Sequence, residues 1–336
     1  MTDYQAHQIH LINRPAGLPT HSDFKLIEVK LAAPAAGEVL VKNLFMSVDP
    51  YMRGRMRAVG VYAAPYALNE PMYGGAIGKV VESGDANFKP GDIVLNQGAW
   101  QDRLIAKADS LTKIEPFDKA RLSLYLGTLG MPGFTSYVGL LRFGEPKPGE
   151  TVFVSAASGA VGANVCQIAK LKGCRVVGSV GSDAKAQWLQ DECGVDAVIN
   201  YKTCGDLTAA LAAAAPDGID VYFENVGGAH LQAALNVMNP FGRIAACGMI
   251  SSYNNAKPEP GPDNLMLIVG KKIRINGFIV WDHADMHADF LRDMTQWIKQ
   301  GQIVTRETIV EGLDHAVDAF LGLFSGDNFG KMVVKL

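Results

Sequence analysis

The chain has 336 residues, and its 31 lysines and arginines stand against 34 aspartates and glutamates for a formal net charge of -3. Hydrophobic residues at 48% and charged residues at 19% exclude a disordered chain and leave ample material for buried cores without staples. The near-even charge balance, with no run of Lys or Arg, argues against nucleic acid or an anionic membrane as the main partner.

The length predicts two domains. No apolar stretch approaches the roughly 20 residues of a membrane helix, and residues 1–10 have neither a basic nor an apolar signal region. Five cysteines, Cys166, Cys174, Cys193, Cys204 and Cys247, form no CxxC pair, which points to a reducing, cytoplasmic setting.

Up to about residue 125 the sequence reads as short strands broken by Gly and Pro. Residues 39–45 alternate, 78–81 are apolar, and 92–95 follow a Pro90-Gly91 turn, as in a β-rich, barrel-like domain. From residue 151 short apolar strands (151–155, 175–179, 197–200, 219–224, 243–247 and 273–280) alternate with helices (161–172, 184–193, 207–215 and 228–237). That alternation implies βαβ units around a buried parallel sheet. After about residue 294 comes a helix, then an alternating stretch at 331–336, expected to return to the first domain. The resulting division is 1–125, 126–294 and 295–336.

The strongest motif is Ser155-Ala156-Ala157-Ser158-Gly159-Ala160-Val161-Gly162, between a strand and a helix as a phosphate-binding turn requires. Gly159 permits close backbone approach to a pyrophosphate, Gly162 permits close helix packing, and the helix start offers N–H groups and a positive dipole end. Ala157 replaces the usual first glycine. An NAD site wants a carboxylate at the tip of the next strand, but this one ends Ser179-Val180-Gly181-Ser182, and Lys185 follows within reach of a 2′-phosphate. NADP is therefore favoured over NAD. Asp183 is the counter-signal, unless it serves as a helix N-cap.

No zinc ligand set is visible. His283 and His287, spaced four apart beside Asp285 and Asp289, could share a helical face, although a solvated helix start is the commoner arrangement. There is no G-x-S-x-G elbow, H-E-x-x-H or Walker A sequence. Cys247 ends a strand where ligands bind in open α/β sheets, without an adjacent base to make it a nucleophile. Tyr51, Tyr62, Tyr66 and Tyr253 carry phenols able to hydrogen-bond a substrate carbonyl, although buried tyrosines more often serve structure alone.

Several blocks together resemble the zinc-free branch of the medium-chain dehydrogenase/reductases that holds prostaglandin reductase, 2-alkenal reductase and bacterial curcumin reductase. They are Met46-Ser47-Val48-Asp49-Pro50-Tyr51-Met52-Arg53, Met131-Pro132-Gly133-Phe134-Thr135 and the turn at 156–162. They continue with Asn200-Tyr201-Lys202, Tyr222-Phe223-Glu224-Asn225-Val226-Gly227-Gly228, 247–254, Asn276-Gly277-Phe278-Ile279-Val280 and Asn328-Phe329-Gly330-Lys331. The resemblance implies an α/β fold, a Rossmann doubly wound parallel sheet with a GroES-like β-rich catalytic domain.

The resemblance also implies cofactor contacts. The pyrophosphate turn falls on Ala160, Val161, Gly162 and Ala163 beside Gly159, the 2′-phosphate lysine on Lys185, and a phosphate-side tyrosine on Tyr201. Asn225 falls beside the ribose. Cys247, Gly248, Met249, Ile250, Ser251, Ser252 and Tyr253, with Phe278, Ile279 and Val280, wrap the nicotinamide half, and Asn328 closes the site. Where zinc-dependent relatives carry Gly-His-Glu, this chain has Gly74-Gly75-Ala76. Two departures stand out. A tyrosine proposed as proton donor in some members, eight residues before the Phe278 position, is Gly270 here, and the loop at 59–68 is this chain's own.

The activity implied is NADPH-dependent reduction of the C=C bond of α,β-unsaturated ketones or aldehydes without metal. Hydride goes to the β-carbon, and Tyr51, Tyr62 or Tyr253 steadies the developing oxyanion. The alternatives are an NADPH:quinone reductase and a non-catalytic NADPH-binding protein. The family also implies a homodimer paired through 273–280, an edge strand that needs cover.

Overall fold

The computed structural model describes residues 4–60 and 62–336; Val61, within the 59–68 loop, lies outside the described residues. The chain forms two units. One runs to Leu126 and resumes at Glu307–Asn328 and Met332–Leu336; the other is Gly127–Arg306 with Phe329–Lys331.

In the first unit β1 (Tyr4–Leu11) pairs antiparallel with β2 (Phe24–Leu31). Then come β3 (Glu38–Ser47), α1 (Tyr51–Arg55), β4 (Ala76–Ser83), β5 (Ile93–Asn96), β6 (Arg103–Lys107) and β7 (Thr112–Ile114). The long β3 is the spine, antiparallel to both β4 and β6. Short, alternating, Gly-punctuated segments suit such a sheet because each strand buries only alternate side chains. Helix α1 is a single turn, started at Pro50, whose ring presets a helical φ.

The second unit opens with α2 (Met131–Val138) and continues β8 (Thr151–Val154), α3 (Gly162–Leu171), β9 (Arg175–Val180), α4 (Asp183–Asp191), β10 (Ala197–Asn200) and α5 (Leu207–Ala214). It continues with β11 (Ile219–Glu224), α6 (Gly228–Val237), β12 (Met238–Ala246), α7 (Met266–Lys271), β13 (Arg274–Gly277) and α8 (His287–Lys299). Six strands lie in the order β10-β9-β8-β11-β12-β13, every neighbouring pair parallel. Every residue of β8 is buried, because helices cover both faces of a doubly wound sheet. Phe153 and Tyr222 stack at 4.9 Å in its core. The order reverses between β8 and β11, and the carboxyl ends of those two strands mark the switch point where such folds bind ligands.

The tail holds β14 (Glu307–Glu311), α9 (Ala316–Ser325) and β15 (Lys331–Lys335). Strand β15 runs antiparallel to β3, with Val333 opposite Ser47, and α9 sets Phe320 against Trp100 in the first unit's core.

Three details differ from the sequence-based expectation. The chain leaves the second unit after Arg306 rather than near residue 294, because α8 packs there through Phe290 against Phe134 and Asp293 accepts from the Tyr137 hydroxyl. The last parallel strand is only Arg274–Gly277, since a 3-10 turn begins at Val280, whereas β12 starts early, at Met238. Asp183 is not the cap of α4. Ser182 is, its hydroxyl accepting the Lys185 N–H, and Asp183 instead accepts from Asn200 at 2.7 Å.

Candidate functional site

The turn after β8 is held from both sides. Ala157 N–H bonds Ser179 O at 2.9 Å, and Ser158 O accepts from Gly330 N–H at 2.9 Å, so the Phe329–Lys331 strap lies on the turn. Asn328 immediately precedes that strap. A Cβ on Gly162 would stand 2.3 Å from Ala156 O, so only glycine lets α3 start this close. Ala157 in place of glycine carries no backbone strain; the left-handed residue is Ala156, at φ 48°. The N–H groups of Ala160, Val161 and Gly162 bond nothing else among the described residues. Unpaired donors at a helix start over a glycine cradle fit a pyrophosphate.

Strand β9 ends at Val180, and residues 179–182 at its tip carry no carboxylate. Tyr201 reaches it, its hydroxyl lying 3.1 Å from where a Cβ on Gly181 would sit. Behind Tyr201, His230 packs edge-on at 5.1 Å and hydrogen-bonds Ser179 at 2.7 Å. Burial pulls the His230 pKa down to about 4, so the ring is neutral. The Lys185 ammonium lies 5.6 Å from the Phe329 ring. Arg306, which carries no motif in the sequence, brings its guanidinium to 4.2 Å from the same ring. Only the strap's return to the turn brings these cations together, and no spacing in the sequence signals it. The set of cations and a phenol, with Asp183 engaged by Asn200, fits a 2′-phosphate better than a bare ribose.

The opposite rim comes from the carboxyl ends of β11 and β12. Asn225 is tied to β8 by its N–H on Ser155 Oγ at 2.9 Å and its amide on Ser155 O at 2.8 Å. Ile250 N–H bonds Asn225 O, and Ser251 bonds Val226 O through N–H and hydroxyl. Gly248, Met249 and Ser252 share that short turn, where the Tyr253 hydroxyl accepts Met249 N–H at 3.4 Å. Burial pushes the Cys247 thiol up to about 12, so it is no nucleophile at neutral pH. Phe278 stacks on Phe143 at 5.1 Å, Ile279 is partly exposed, and Val280 is buried.

In the first unit the Asp49–Arg55 corner is braced by a short bond from Ser47 to Asp49 and by Arg53 donating to Pro15 O and Gly17 O. The Tyr51 hydroxyl has no hydrogen-bond partner among the described residues. Burial first, then the charges of Asp49 and Tyr66, raise its pKa well above the usual phenol value, so it remains a donor. Tyr66 does structural work instead: it is buried and donates to Tyr73 O at 2.8 Å. Arg55 lies over the Tyr66 and Tyr73 rings and holds Ala64 O, while Arg14 holds Met56 O, Arg57 O and Tyr66 O. Tyr62 projects 59% exposed from this braced loop.

The His283 and His287 pair does not share a helical face. His283 sits at a non-helical kink and pairs with Arg142, which also holds Asp285; His287 packs on Phe134 at 5.1 Å. Among the described residues no group of three His, Cys, Asp or Glu could hold a metal ion. The unpaired N–H groups at the start of α3 and the cations beside Phe329 fit a phosphorylated dinucleotide.

Comparison with known proteins agrees in fold and in sequence. Residues 7–114 match the N-terminal domain of oxidoreductase family model, and residues 160–299 match the zinc-binding dehydrogenase model. A 2-alkenal reductase (NADP(+)-dependent) of Nicotiana tabacum is 47% identical, covering 98% of this chain and 97% of that protein. The NADPH-dependent curcumin reductase of Escherichia coli is 44% identical, covering 97% and 95%. The chain belongs to the medium-chain dehydrogenase/reductases. Within that family it falls in the branch of these two reductases. The crystal structure of CurA from Vibrio vulnificus in complex with NADPH superposes with a TM-score of 0.93 at 43% identity, covering 98% of both chains. Among the described residues no helix is long and apolar enough to cross a membrane.

Proposed function

We propose that this medium-chain reductase reduces the C=C bond of α,β-unsaturated ketones and aldehydes, with NADPH and without a metal. The observation that carries the reading is 44% and 47% identity, over 97% and 98% of the chain, to the curcumin and 2-alkenal reductases, coupled to a second unit whose turn fits a phosphorylated dinucleotide. Bound NADPH would supply the hydride that goes to the substrate's β-carbon.

The chain's own residues do the rest. Ala160, Val161 and Gly162 present N–H groups and a helix dipole to the pyrophosphate, on the turn that Gly159 opens and Ala163 continues. Lys185 and Tyr201 take the 2′-phosphate; a lysine ammonium there favours NADPH over NADH by charge-assisted hydrogen bonding. Asn225, the turn 247–253, Phe278, Ile279 and Val280 form the nicotinamide side, and Asn328 closes it. Tyr51, whose hydroxyl is free to donate, is the foremost oxyanion donor, with Tyr62 and Tyr253 beside it in the candidate set. A prepositioned donor of this kind lowers the barrier by about 3 kcal/mol. With Gly270 in place of a tyrosine, water or one of these phenols protonates the α-carbon.

A homodimer joined along β13 fits the exposed Ile275 and Trp281 at that sheet edge. Five free thiols suit a cytoplasmic protein. The test is NADPH oxidation against a panel of alkenals, enones, curcumin-like diketones and quinones, with NADH as control. Turnover on enones supports the reading; turnover on quinones alone, or tight NADPH binding with no oxidation by any substrate, overturns it.

A further inference from the structure

Glu224 ends β11 at the switch point and is fully buried there. Oε1 accepts from Ser155 Oγ at 3.1 Å, Val226 N–H at 2.6 Å and Gly227 N–H at 2.9 Å. Oε2, equally buried, has no hydrogen-bond partner among the described residues. The Glu224 carbonyl accepts from Cys247 N–H at 3.0 Å and Gly248 N–H at 3.1 Å. Ser155 Oγ in turn receives the Tyr222 hydroxyl at 3.1 Å and the Asn225 N–H. One side chain and its own peptide thus gather the carboxyl ends of β8, β11 and β12.

An ionised carboxylate does not suit such an arrangement. Charge on a dry oxygen that meets no donor is far costlier than a neutral carboxyl with one weakly satisfied group. Burial dominates and raises the Glu224 pKa, outweighing the Tyr222 hydroxyl, the Gly227 and Val226 N–H groups and the Ser155 hydroxyl. The titratable groups that face it, Tyr222 from its own strand and Cys247 from the end of β12, are held neutral by burial as well.

We propose that Glu224, carried as the neutral acid, is a positioning residue that fixes the rim at 225–228 and 247–253. This inference rests on the reading that the second unit binds NADPH. The groups it holds are the backbone of the nicotinamide-side rim, whereas the phosphate-side residues Lys185 and Tyr201 bond elsewhere. Its loss therefore changes the placement of the reacting end and leaves the anchoring end alone.

Three measurements test this: infrared spectroscopy, the dissociation constant for NADPH from nicotinamide fluorescence, and kcat with an enone. A protonated-carboxyl band at neutral pH in wild type, lost in Glu224→Gln, is expected. Glu224→Gln keeps the isosteric neutral form and should hold both constants within about threefold. Glu224→Ala should bind NADPH within about tenfold of wild type while kcat falls about 100-fold, the scale of a small misplacement at a reacting centre. If Glu224→Ala does not fold, Glu224→Asp, which draws the carboxyl back, takes its place with the same expectation. The inference is overturned by a wild type without the acid band, by Glu224→Gln as impaired as the truncation, or by unchanged kcat in the truncation. A wild-type protein that fails to bind NADPH overturns the functional reading, and the positioning role with it; a missing band in a protein that binds NADPH overturns this inference alone.

Discussion

Mild acid should destabilise this protein through one histidine. His230 is buried beneath Tyr201 and bonded to Ser179, and burial lowers its pKa from 6.5 to about 4. Above pH 6.5 the ring is neutral folded and unfolded, and the stability it permits is fully present. As pH falls below 6.5 the unfolded chain takes up a proton that the folded chain refuses, so stability declines until the folded ring protonates near pH 4. A pKa lowered that far is worth about 3.4 kcal/mol in all, of which about 2 kcal/mol is lost between about pH 7.5 and pH 5. In His230→Gln the amide can keep the bond to Ser179 but cannot titrate. Calorimetric melts of both proteins at the two pH values should show wild-type Tm falling about 4–8 °C further than the variant's, given the size of the second unit. His10, also lowered by burial, and the paired carboxylates are common to both proteins and cancel in the difference. Parallel declines in the two proteins would refute the reasoning. So would a variant whose NADPH affinity weakens on acidification as much as the wild type's, because protonation of His230 is also expected to push Tyr201 from the tip of β9.

Three further outcomes are expected. Lys185→Ala should raise the dissociation constant for NADPH about 10- to 100-fold, the worth of a charge-assisted hydrogen bond, and leave NADH binding unchanged; titration with both coenzymes checks it. Tyr51→Phe should lower kcat on enones about 100- to 200-fold at constant NADPH affinity, measured by steady-state kinetics beside equilibrium binding. On the proposed dimer, wild type should sediment as a dimer and Ile275→Lys, placed on the exposed sheet edge, as a monomer.

The alternation of apolar strands with helices between residues 151 and 280 is legible because period and burial on both faces are local properties of the chain. The parallel sheet follows from them, as does the phosphate-type turn between β8 and α3. Ser182 against Asp183 as a cap is harder to read, since both residue types cap well and only the backbone angle at Ser182 decides between them. Tyr51 and Tyr66 look alike in sequence; the carbonyl of Tyr73 occupies one hydroxyl and leaves the other open.

Element order, fold class and the phosphate-type turn are thus written in neighbouring residues, because propensity and hydrophobic period act over a few positions. Which side chains meet at the switch point is not. Glu224 receives the Ser155 hydroxyl from just beyond the end of β8, and Lys185 and Arg306 meet over Phe329, although Lys185 and Phe329 stand far apart in the chain. Burial, which raises the pKa of Glu224 and keeps the His230 ring neutral, arises only when the strands and the strap come together, so the tertiary structure alone decides it.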